Sequence, residues 1–299
     1  MKYIFVYPDV HGTEPDLLDS GSIGEVAATA EAAGWDGFAL TEHPIPGARW
    51  LASGGHQTLD PFVALGCAAA VTSNLCLLTY LSVVPYRNPF LLAKAAATVD
   101  KLSAGRFVLG VGAGYQKSEF HALGVDFDER NRLVDEALDA LPLHWSGQPF
   151  SYQGLHFDAR DVIARPRPVQ DPIPIWIGGN SRATLRRVAE RAQGWMPLTG
   201  SAALSITART PHLGSTQELS NRIAELRDMA GDRGDQLDIV LSHPGPAAVA
   251  PGADVDRHKE SLAELERIGA TWVVVSGPAG SAAATFEFLQ AFGATYLEP

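Results

Sequence analysis

Residues 105–124 form a glycine-rich segment whose residue types could hold a cofactor. An apolar run of strand length at 107–111 leads into Gly110, Gly112 and Gly114, and a helical pattern follows. Glycine lets the backbone approach a ligand closely, and the first turn of a helix presents free N–H groups. The segment therefore predicts a cofactor site. A turn that needs small residues only for packing is the alternative.

The spacing of these glycines does not fit the dinucleotide fingerprint G-x-G-x-x-G of a Rossmann fold. The third glycine of that pattern would fall where this chain has Tyr115. The segment follows the fourth predicted strand, whereas the fingerprint follows the first. Residues 127–143 have a helical pattern where the fingerprint needs an acid at the end of a second strand. We therefore expect a cofactor-binding fold other than the Rossmann fold.

Two further groups of polar residues follow predicted strands. Glu42 and His43 come directly after a strand at 37–40, and histidine exchanges protons near neutral pH, so His43 is a candidate general acid or base. A structural histidine and a solvated acid are the alternatives. Residues 178–181 end another strand and start a helix that Ser181 would cap. Free N–H groups there favour an anion, and an ordinary capped helix is the alternative.

The spacing of apolar residues predicts strands that alternate with helices. Runs of strand length occur at 3–7, 37–40, 75–84, 107–111, 173–177, 237–241 and 272–275, with a weaker run at 194–198. Runs that are apolar throughout suit a parallel sheet covered by helices. About eight strand–helix units favour an α/β fold, a single-domain (β/α)8 TIM barrel over 1–299. We expect an insertion at 145–172, with a hairpin of 150–152 and 155–157.

The composition argues against several classes of protein. The net charge is −11 and no run is rich in Lys or Arg, so nucleic-acid binding is not expected. Two cysteines cannot form a disulfide framework, and Cys67 lies in an alanine-rich run that predicts a core position. No signal peptide or membrane span is expected, which favours the cytoplasm. No metal site is expected, because ligand spacing is lacking among His11, His43 and His56.

Several motifs within residues 1 to about 200 resemble one protein family when they are taken together. They are TEHP at 41–44, PYRNP at 85–89, DKLSAGR at 100–106, LGVGAGY at 109–115, RP at 165–166 and PIWIGGNS at 174–181. In this combination the chain resembles the bacterial luciferase-like superfamily of flavin- and coenzyme F420-dependent oxidoreductases. That family has a TIM-barrel fold, which agrees with the strand count.

The resemblance implies roles for residues at the C-terminal ends of the strands. His43 would lie beside the cofactor ring, and Glu42 would orient His43 or contact the polar edge of the ring. Tyr115 would donate a hydrogen bond where relatives that oxidise a sugar phosphate carry a glutamate. A cis peptide bond is implied between Tyr80 and Ser82, with Tyr80–Leu81 as the favoured position. The residues implied to contact the cofactor are Thr79, Tyr80, Leu81, Gly112, Ala113, Gly114, Gly178, Gly179, Asn180, Ser181 and Thr199.

The family comparison also marks differences and supporting residues. The loop at 198–201 carries hydroxyl groups where the sugar-phosphate relatives carry a lysine, so that activity is not expected here. Glu119 and Arg130 resemble a pair that supports a helix, structural rather than catalytic. The candidates for an apolar substrate wall are Trp50, Trp145 and Trp195, with packing the favoured role of Trp195.

The resemblance implies an oxidoreductase that transfers a hydride between coenzyme F420 and a small organic substrate. The alternative within the family is an FMN-dependent monooxygenase, in which reduced flavin activates oxygen. The alternative from another class is a barrel that binds a ligand without turnover. A homodimer is implied by the resemblance alone.

Overall fold

The computed structural model describes residues 1–11, 16–243 and 251–297. The described residues form strands β1 to β13, which are, in chain order, Lys2–Val6, Val10–His11, Gly37–Leu40, His56–Gln57, Cys76–Thr79, Ser82–Val83, Phe107–Gly112, Phe150–Gln153, Asp158–Val162, Ile175–Gly178, Gly194–Met196, Asp238–Ser242 and Trp272–Ser276. They also form helices α1 to α11, which are Ile23–Ala32, Ala48–Ala52, Pro61–Val71, Pro89–Leu102, Lys117–Ala122, Arg130–Trp145, Arg182–Arg191, Ala202–Thr207, Thr216–Ala230, Val255–Arg267 and Ala282–Tyr296.

Eight of the strands close into a parallel barrel, which confirms the predicted TIM barrel. Neighbours pair in the order β1, β3, β5, β7, β10, β11, β12 and β13, and β13 pairs with β1 again. A helix of at least ten residues follows each of these strands before the next one begins. The predicted strand at 75–84 is divided by Tyr80 and Leu81 into β5 and β6, and both pieces pair with β7.

Both faces of the barrel strands are buried, which explains why the strand runs are apolar throughout. Successive side chains of a strand point to opposite faces. One set packs with the helices outside the barrel and includes Phe5, Phe38 and Leu77. The other set fills the inside of the barrel and consists of Ile4, Val6, Ala39, Leu78, Val108, Trp176, Met196, Val240, Trp272 and Val274.

The insertion between α6 and β10 contains a hairpin whose second strand differs from the predicted one. β8 pairs antiparallel with β9, so the strand prediction for 155–157 is wrong, and those residues form the connection. The Glu136 carboxylate accepts the backbone N–H groups of His156 and Phe157, each at 3.0 Å, and contacts His156 Nδ1 at 2.9 Å. These bonds occupy the backbone N–H groups of His156 and Phe157, which a strand would use to pair with β8.

One helix surface also differs from its prediction. Cys67 lies on α3 and is exposed, so its assignment to the core is wrong. Because α3 is apolar on every side, its sequence does not indicate which face packs against the barrel, and Val63 and Val71 are exposed as well. No described helix is both long enough and apolar enough to cross a membrane.

Gly110 of β7 has no room for a side chain, because a Cβ atom there would lie 1.9 Å from the Thr79 carbonyl oxygen. We expect Gly110→Ala to lower the free energy of unfolding by about 3 kcal/mol, since backbone cannot move aside as a flexible side chain can. Gly24→Ala in α1 is the matched control, because the nearest atoms would be 3.8 Å away. Urea denaturation followed by tryptophan fluorescence measures both, and equal stabilities would contradict the described packing of β7.

Candidate active site at the C-terminal end of the barrel

The C-terminal ends of β3, β5, β7 and β10 meet at one end of the barrel, the end at which TIM-barrel enzymes carry their catalytic residues. We call this end the mouth. His43 lies in the loop after β3, and Tyr115 lies three residues after the end of β7. Their ring centroids are 5.8 Å apart. The structure therefore brings together two predicted catalytic residues that are distant in sequence.

A buried carboxylate, Glu119 of α5, holds His43 in place. Glu119 Oε2 lies 3.0 Å from His43 Nδ1 and accepts the Tyr86 hydroxyl at 2.8 Å, and Oε1 accepts the Ile45 N–H at 3.2 Å. The Glu119 side chain has no exposed surface. A carboxylate only accepts, so it places the proton of a neutral His43 on Nδ1. His43 Nε2 is then free to accept the Tyr115 hydroxyl at 3.4 Å.

The prediction that Glu119 and Arg130 form a structural pair is wrong. Arg130 donates to the Phe127 carbonyl at 2.9 Å, and its guanidinium lies 3.9 Å from the centroid of the Phe127 ring. Helix α5 has only six residues, and its sequence is too short for a periodic pattern to show which face is buried. The position of Glu119 beside His43 is therefore visible only in the tertiary structure.

Glu42 does not orient His43, which corrects one of its two predicted roles. Glu42 Oε2 accepts the Val83 N–H at 2.6 Å and the Ser82 hydroxyl at 3.0 Å, and Oε1 pairs with the Arg87 guanidinium. Neighbouring residues of an extended segment point to opposite sides. Glu42 therefore points to the side opposite His43 and holds β6 in place through these bonds. Its predicted contact with the cofactor ring stays a prediction.

The peptide bond between Tyr80 and Leu81 is cis, at the position that the resemblance implied. The Tyr80 hydroxyl lies 3.0 Å from Ser242 Oγ of β12. The Leu81 side chain rests on β7 and β10, because a Cβ at Gly112 or Gly178 would lie 2.7 or 2.3 Å from its methyl carbons. These two glycines make room for Leu81, and the cofactor contacts predicted for this group stay predictions.

Aromatic side chains form one side of the mouth. The ring centroid of His43 lies 4.6 Å from Trp50 of α2 and 4.9 Å from His56 of β4. Trp50 is also 6.4 Å from the Tyr115 ring. Of the three tryptophans considered as a substrate wall, Trp50 is therefore the one that borders His43.

The other two tryptophans lie in the packed interior. Trp145 is buried and donates through Nε1 to the Ala93 carbonyl at 3.0 Å, so it does not form a substrate wall. Trp195 of β11 is buried as predicted, and its Nε1 donates to the Gly179 carbonyl at 2.8 Å. Through this hydrogen bond Trp195 supports the loop that precedes α7.

The start of α7 has the predicted cap. Ser181 Oγ accepts a backbone N–H of the first turn at 3.1 Å, and Gly179 adopts a φ of 114°, which favours glycine. The side-chain amide of Asn180 donates to the carbonyls of Leu198 and Pro211 at 2.7 and 2.8 Å. Asn180 therefore ties this loop to the two loops beside it.

Two of the predicted cofactor contacts, Thr79 and Asn180, have no exposed surface. The Thr79 hydroxyl donates to the Gly110 carbonyl at 2.7 Å, so Thr79 supports β7, whereas Asn180 supports the loops beside α7. Their contact with a cofactor stays a prediction. The predicted positions that are partly exposed are Tyr80, Leu81, Ala113, Gly114, Gly178, Gly179, Ser181 and Thr199.

Three cations that the sequence did not indicate as ligands surround the ring of Phe127. Lys117 Nζ, Arg130 Cζ and Arg209 Cζ lie 5.0, 3.9 and 5.3 Å from its centroid. Burial, followed by the charge of Arg209, lowers the pKa of Arg130. Thr210, the residue after Arg209, accepts the Asn180 N–H through its hydroxyl at 2.8 Å, so the segment that carries Arg209 contacts the loop before α7.

Asp9 and His56 form a second acid–imidazole pair beside His43. Asp9 Oδ2 lies 3.4 Å from His56 Nε2, and Oδ1 accepts the Thr41 hydroxyl at 2.5 Å. Burial raises the pKa of Asp9 to about 6. Burial, with the charges of His43 and His11, lowers the pKa of His56 to about 4. Within the described ranges, no group of three or more such side chains could hold a metal ion.

Tyr115 differs chemically from the glutamate that it replaces. Burial, followed by the charges of Glu119 and Asp9, raises the pKa of Tyr115 to about 12. The phenol is therefore neutral at pH 7 and donates its proton in a hydrogen bond. A proton that moves during turnover would more readily come from an imidazole than from this hydroxyl.

The family model described as luciferase-like monooxygenase matches residues 1–254 of the chain. That match covers most of the barrel and every residue of the mouth described so far. The chain belongs to the luciferase-like monooxygenase family.

Relatives with known cofactors divide between flavin and deazaflavin. The FMNH2-dependent dimethylsulfone monooxygenase of Pseudomonas putida is 30% identical over 70% of this chain and 59% of its own length. The F420-dependent glucose-6-phosphate dehydrogenase of Microbacterium testaceum is 28% identical over 76% of this chain and 62% of its own length. An uncharacterised protein of Mycobacterium tuberculosis is 35% identical over 52% of this chain and 55% of its own length. The chain thus matches little more than half the length of these relatives.

Solved structures share the fold at low sequence identity. The monooxygenase RslO1 from Streptomyces bottropensis has a TM-score of 0.76 at 18% identity, with 99% of both chains covered. The coenzyme F420-dependent tetrahydromethanopterin reductase from Methanopyrus kandleri has a TM-score of 0.67 at 16% identity, covering 96% of this chain and 98% of the other. The same barrel therefore occurs in proteins named for different reactions.

The contact between Glu119 and His43 predicts the tautomer of the imidazole. We expect neutral His43 to carry its proton on Nδ1, because the Glu119 carboxylate at 3.0 Å can only accept. Long-range ¹H–¹⁵N correlation spectra distinguish the two tautomers. Glu119→Gln should give a mixture, since an amide both donates and accepts. A wild-type spectrum with the proton on Nε2 would contradict the described contact.

The buried His56 predicts a loss of stability in acid. Its pKa is lowered to about 4 in the folded chain, so the unfolded chain alone gains this proton as the pH falls from 6.5 to 4. We expect His56 by itself to remove up to about 3 kcal/mol of unfolding free energy over that range. Asp9 opposes this loss, because its folded pKa of about 6 lies above its ordinary value, so the effect of His56 is the difference between wild type and His56→Phe. His56→Phe should lose less, and His121→Phe, on the exposed side of α5, is the control. Denaturant titrations at several pH values test this, and parallel curves for wild type and His56→Phe would refute it.

Proposed function

We propose that this protein is a coenzyme F420-dependent oxidoreductase that exchanges a hydride with a small organic substrate at the mouth. The observation that carries the proposal is the hydrogen-bonded chain from Glu119 through His43 to Tyr115. When the substrate is an alcohol or a ketone, hydride transfer at the carbon is balanced by a proton that leaves or reaches the attached oxygen. A fixed imidazole is suited to that proton transfer near neutral pH.

The roles of the residues follow from their hydrogen bonds. When bound, the deazaflavin accepts or supplies the hydride. His43 would take the hydroxyl proton of an alcohol on Nε2 and return it to the oxygen in the reverse reaction. Glu119 would stabilise the imidazolium, because it is a buried carboxylate 3.0 Å from Nδ1. Tyr115 would hold the substrate oxygen within reach of Nε2.

The residues at the start of α7 fit the phosphate that either cofactor carries. The capped helix presents N–H groups, and the cation group of Lys117, Arg130 and Arg209 lies beside it. Both features attract an anion. We propose that this cation group supplies the positive charge that pairs with that phosphate.

An FMN-dependent monooxygenase is the second candidate. The relative in Pseudomonas putida that is named as FMNH2-dependent favours it, since its identity of 30% slightly exceeds the 28% of the F420-dependent relative. A barrel that binds a ligand without turnover is the third. The site geometry favours hydride transfer, because a neutral phenol and a fixed imidazole face the same space. The proposal includes a single domain and a cytoplasmic location, which the sequence patterns favour, and a homodimer, which rests on the resemblance alone.

Titration of the purified protein with F420 and with FMN, in oxidised and reduced forms, separates these candidates. We expect micromolar binding of F420. Micromolar binding of FMN without binding of F420 would overturn the choice in favour of the monooxygenase. If neither cofactor bound, the non-catalytic barrel would be the correct interpretation.

His43→Ala tests the proposed proton transfer. We expect kcat with F420 to fall by about 10²- to 10⁴-fold, the usual contribution of a general acid or base. The affinity for F420 should stay close to that of the wild type. Stopped-flow measurement of deazaflavin absorbance gives both values. An unchanged kcat would refute the assigned role of His43.

Arg209→Ala tests the proposed phosphate contact. We expect the dissociation constant of the cofactor to rise about tenfold or more, because a hydrogen bond to a charged group is lost. Arg160→Ala is the matched control, since Arg160 lies on β9 and its side chain is 86% exposed. Isothermal titration calorimetry measures both variants. Equal affinities for the two variants would contradict the proposed contact.

A further inference from the structure

Asp9 and His56 take no part in the proposed proton transfer, yet they face the same space as His43. β2 and β4 form an antiparallel ribbon outside the barrel sheet, with His11 opposite His56. This ribbon joins the loop after β1 to the loop after β3. It holds the His56 ring 4.9 Å from the His43 ring and 5.1 Å from Trp50.

His56 has a ring nitrogen whose hydrogen-bonding capacity is unused. Nε2 is shielded from solvent and makes no hydrogen bond with any residue in the ranges 1–11, 16–243 and 251–297. Asp9 Oδ2 lies 3.4 Å away, but the two groups do not have the geometry of a hydrogen bond. A buried polar group without a partner costs free energy. A ligand that supplies the partner is therefore favoured at this position.

Asp9 and His56 together match the chemistry of a hydroxyl group. A carboxylate accepts a hydrogen bond, and a neutral imidazole can donate one from Nε2. A hydroxyl group donates to the first and accepts from the second. The His56 ring lies 5.1 Å from the Trp50 ring, which in turn lies 6.4 Å from the Tyr115 ring, so the pair adjoins the aromatic side of the mouth.

We propose that Asp9 and His56 bind an oxygen substituent on the carbon next to the reacting carbon, so that the site prefers α-hydroxy ketones and vicinal diols to simple ketones and alcohols. Oxygens on adjacent carbons lie about one hydrogen-bond length, or roughly 2.8 Å, apart. Two imidazole rings 4.9 Å apart can therefore each contact one of them. The reaction at the first oxygen rests on the proposed function. The binding of the second oxygen by Asp9 and His56 does not depend on it.

Binding of two probes to the full chain without cofactor tests the inference. The probes are hydroxyacetone and acetone, and saturation-transfer difference NMR gives their dissociation constants. We expect hydroxyacetone to bind about tenfold more tightly in the wild type. His56→Phe and Asp9→Asn should reduce this ratio to about one. His56→Gln should keep part of it, because its amide can still donate. His121→Phe is the control and should keep all of it.

The outcomes separate this inference from the proposed function. Equal binding of the probes by the wild type, absence of binding by both, or an unchanged ratio in His56→Phe and Asp9→Asn would overturn it. If His56→Phe fails to fold by circular dichroism, Asp9→Asn and His56→Gln still decide. A preference for hydroxyacetone without any F420-dependent turnover would reject the proposed reaction and leave the oxygen-binding pair in place.

Discussion

The carboxylate of Glu119 is sealed from solvent at the mouth of the barrel, and the rest of the site is arranged around it. A buried carboxylate without donors would be strongly unfavourable. Here its partners are His43, Ile45 and Tyr86, which come from the loop after β3 and the segment after β6. Satisfying one charge therefore fixes the positions of these two segments relative to α5. It also leaves a single nitrogen of His43 available for chemistry.

The glycines in and directly after β7 allow close packing, which is one of the two roles that the sequence presents as alternatives. Gly110 lets the β5 backbone approach, and Gly112 makes room for Leu81. Gly114 has a φ of 77° and leaves no space for a Cβ beside Val83. The glycines thus allow close packing, and this packing places Leu81 and Tyr115 at the mouth. Their observed role is therefore to position these side chains, and a direct contact with a cofactor stays a prediction.

The electrostatics of the mouth are divided into three regions. Cations gather around Phe127 beside α7, the Glu119–His43 pair lies at the end of β3, and the Asp9–His56 pair lies on the ribbon beyond it. An anionic cofactor group, a reacting oxygen and a second oxygen would each meet a suitable partner in this order. Relatives named for FMN and for F420 both match this chain, so membership of the family does not by itself decide between the two cofactors.

The sequence by itself determined the barrel, the eight strands and the cap of α7, because apolar runs and caps are local patterns that few folds satisfy together. It also indicated His43, Tyr115 and Trp50 at the mouth. Only the tertiary structure decided that Glu119, 76 positions from His43, is its partner in place of Glu42. It also decided the exposed face of α3, the strand that pairs with β8, and the cations around Phe127. These contacts join residues that are distant in sequence, and their selection depends on burial and geometry that no local pattern encodes.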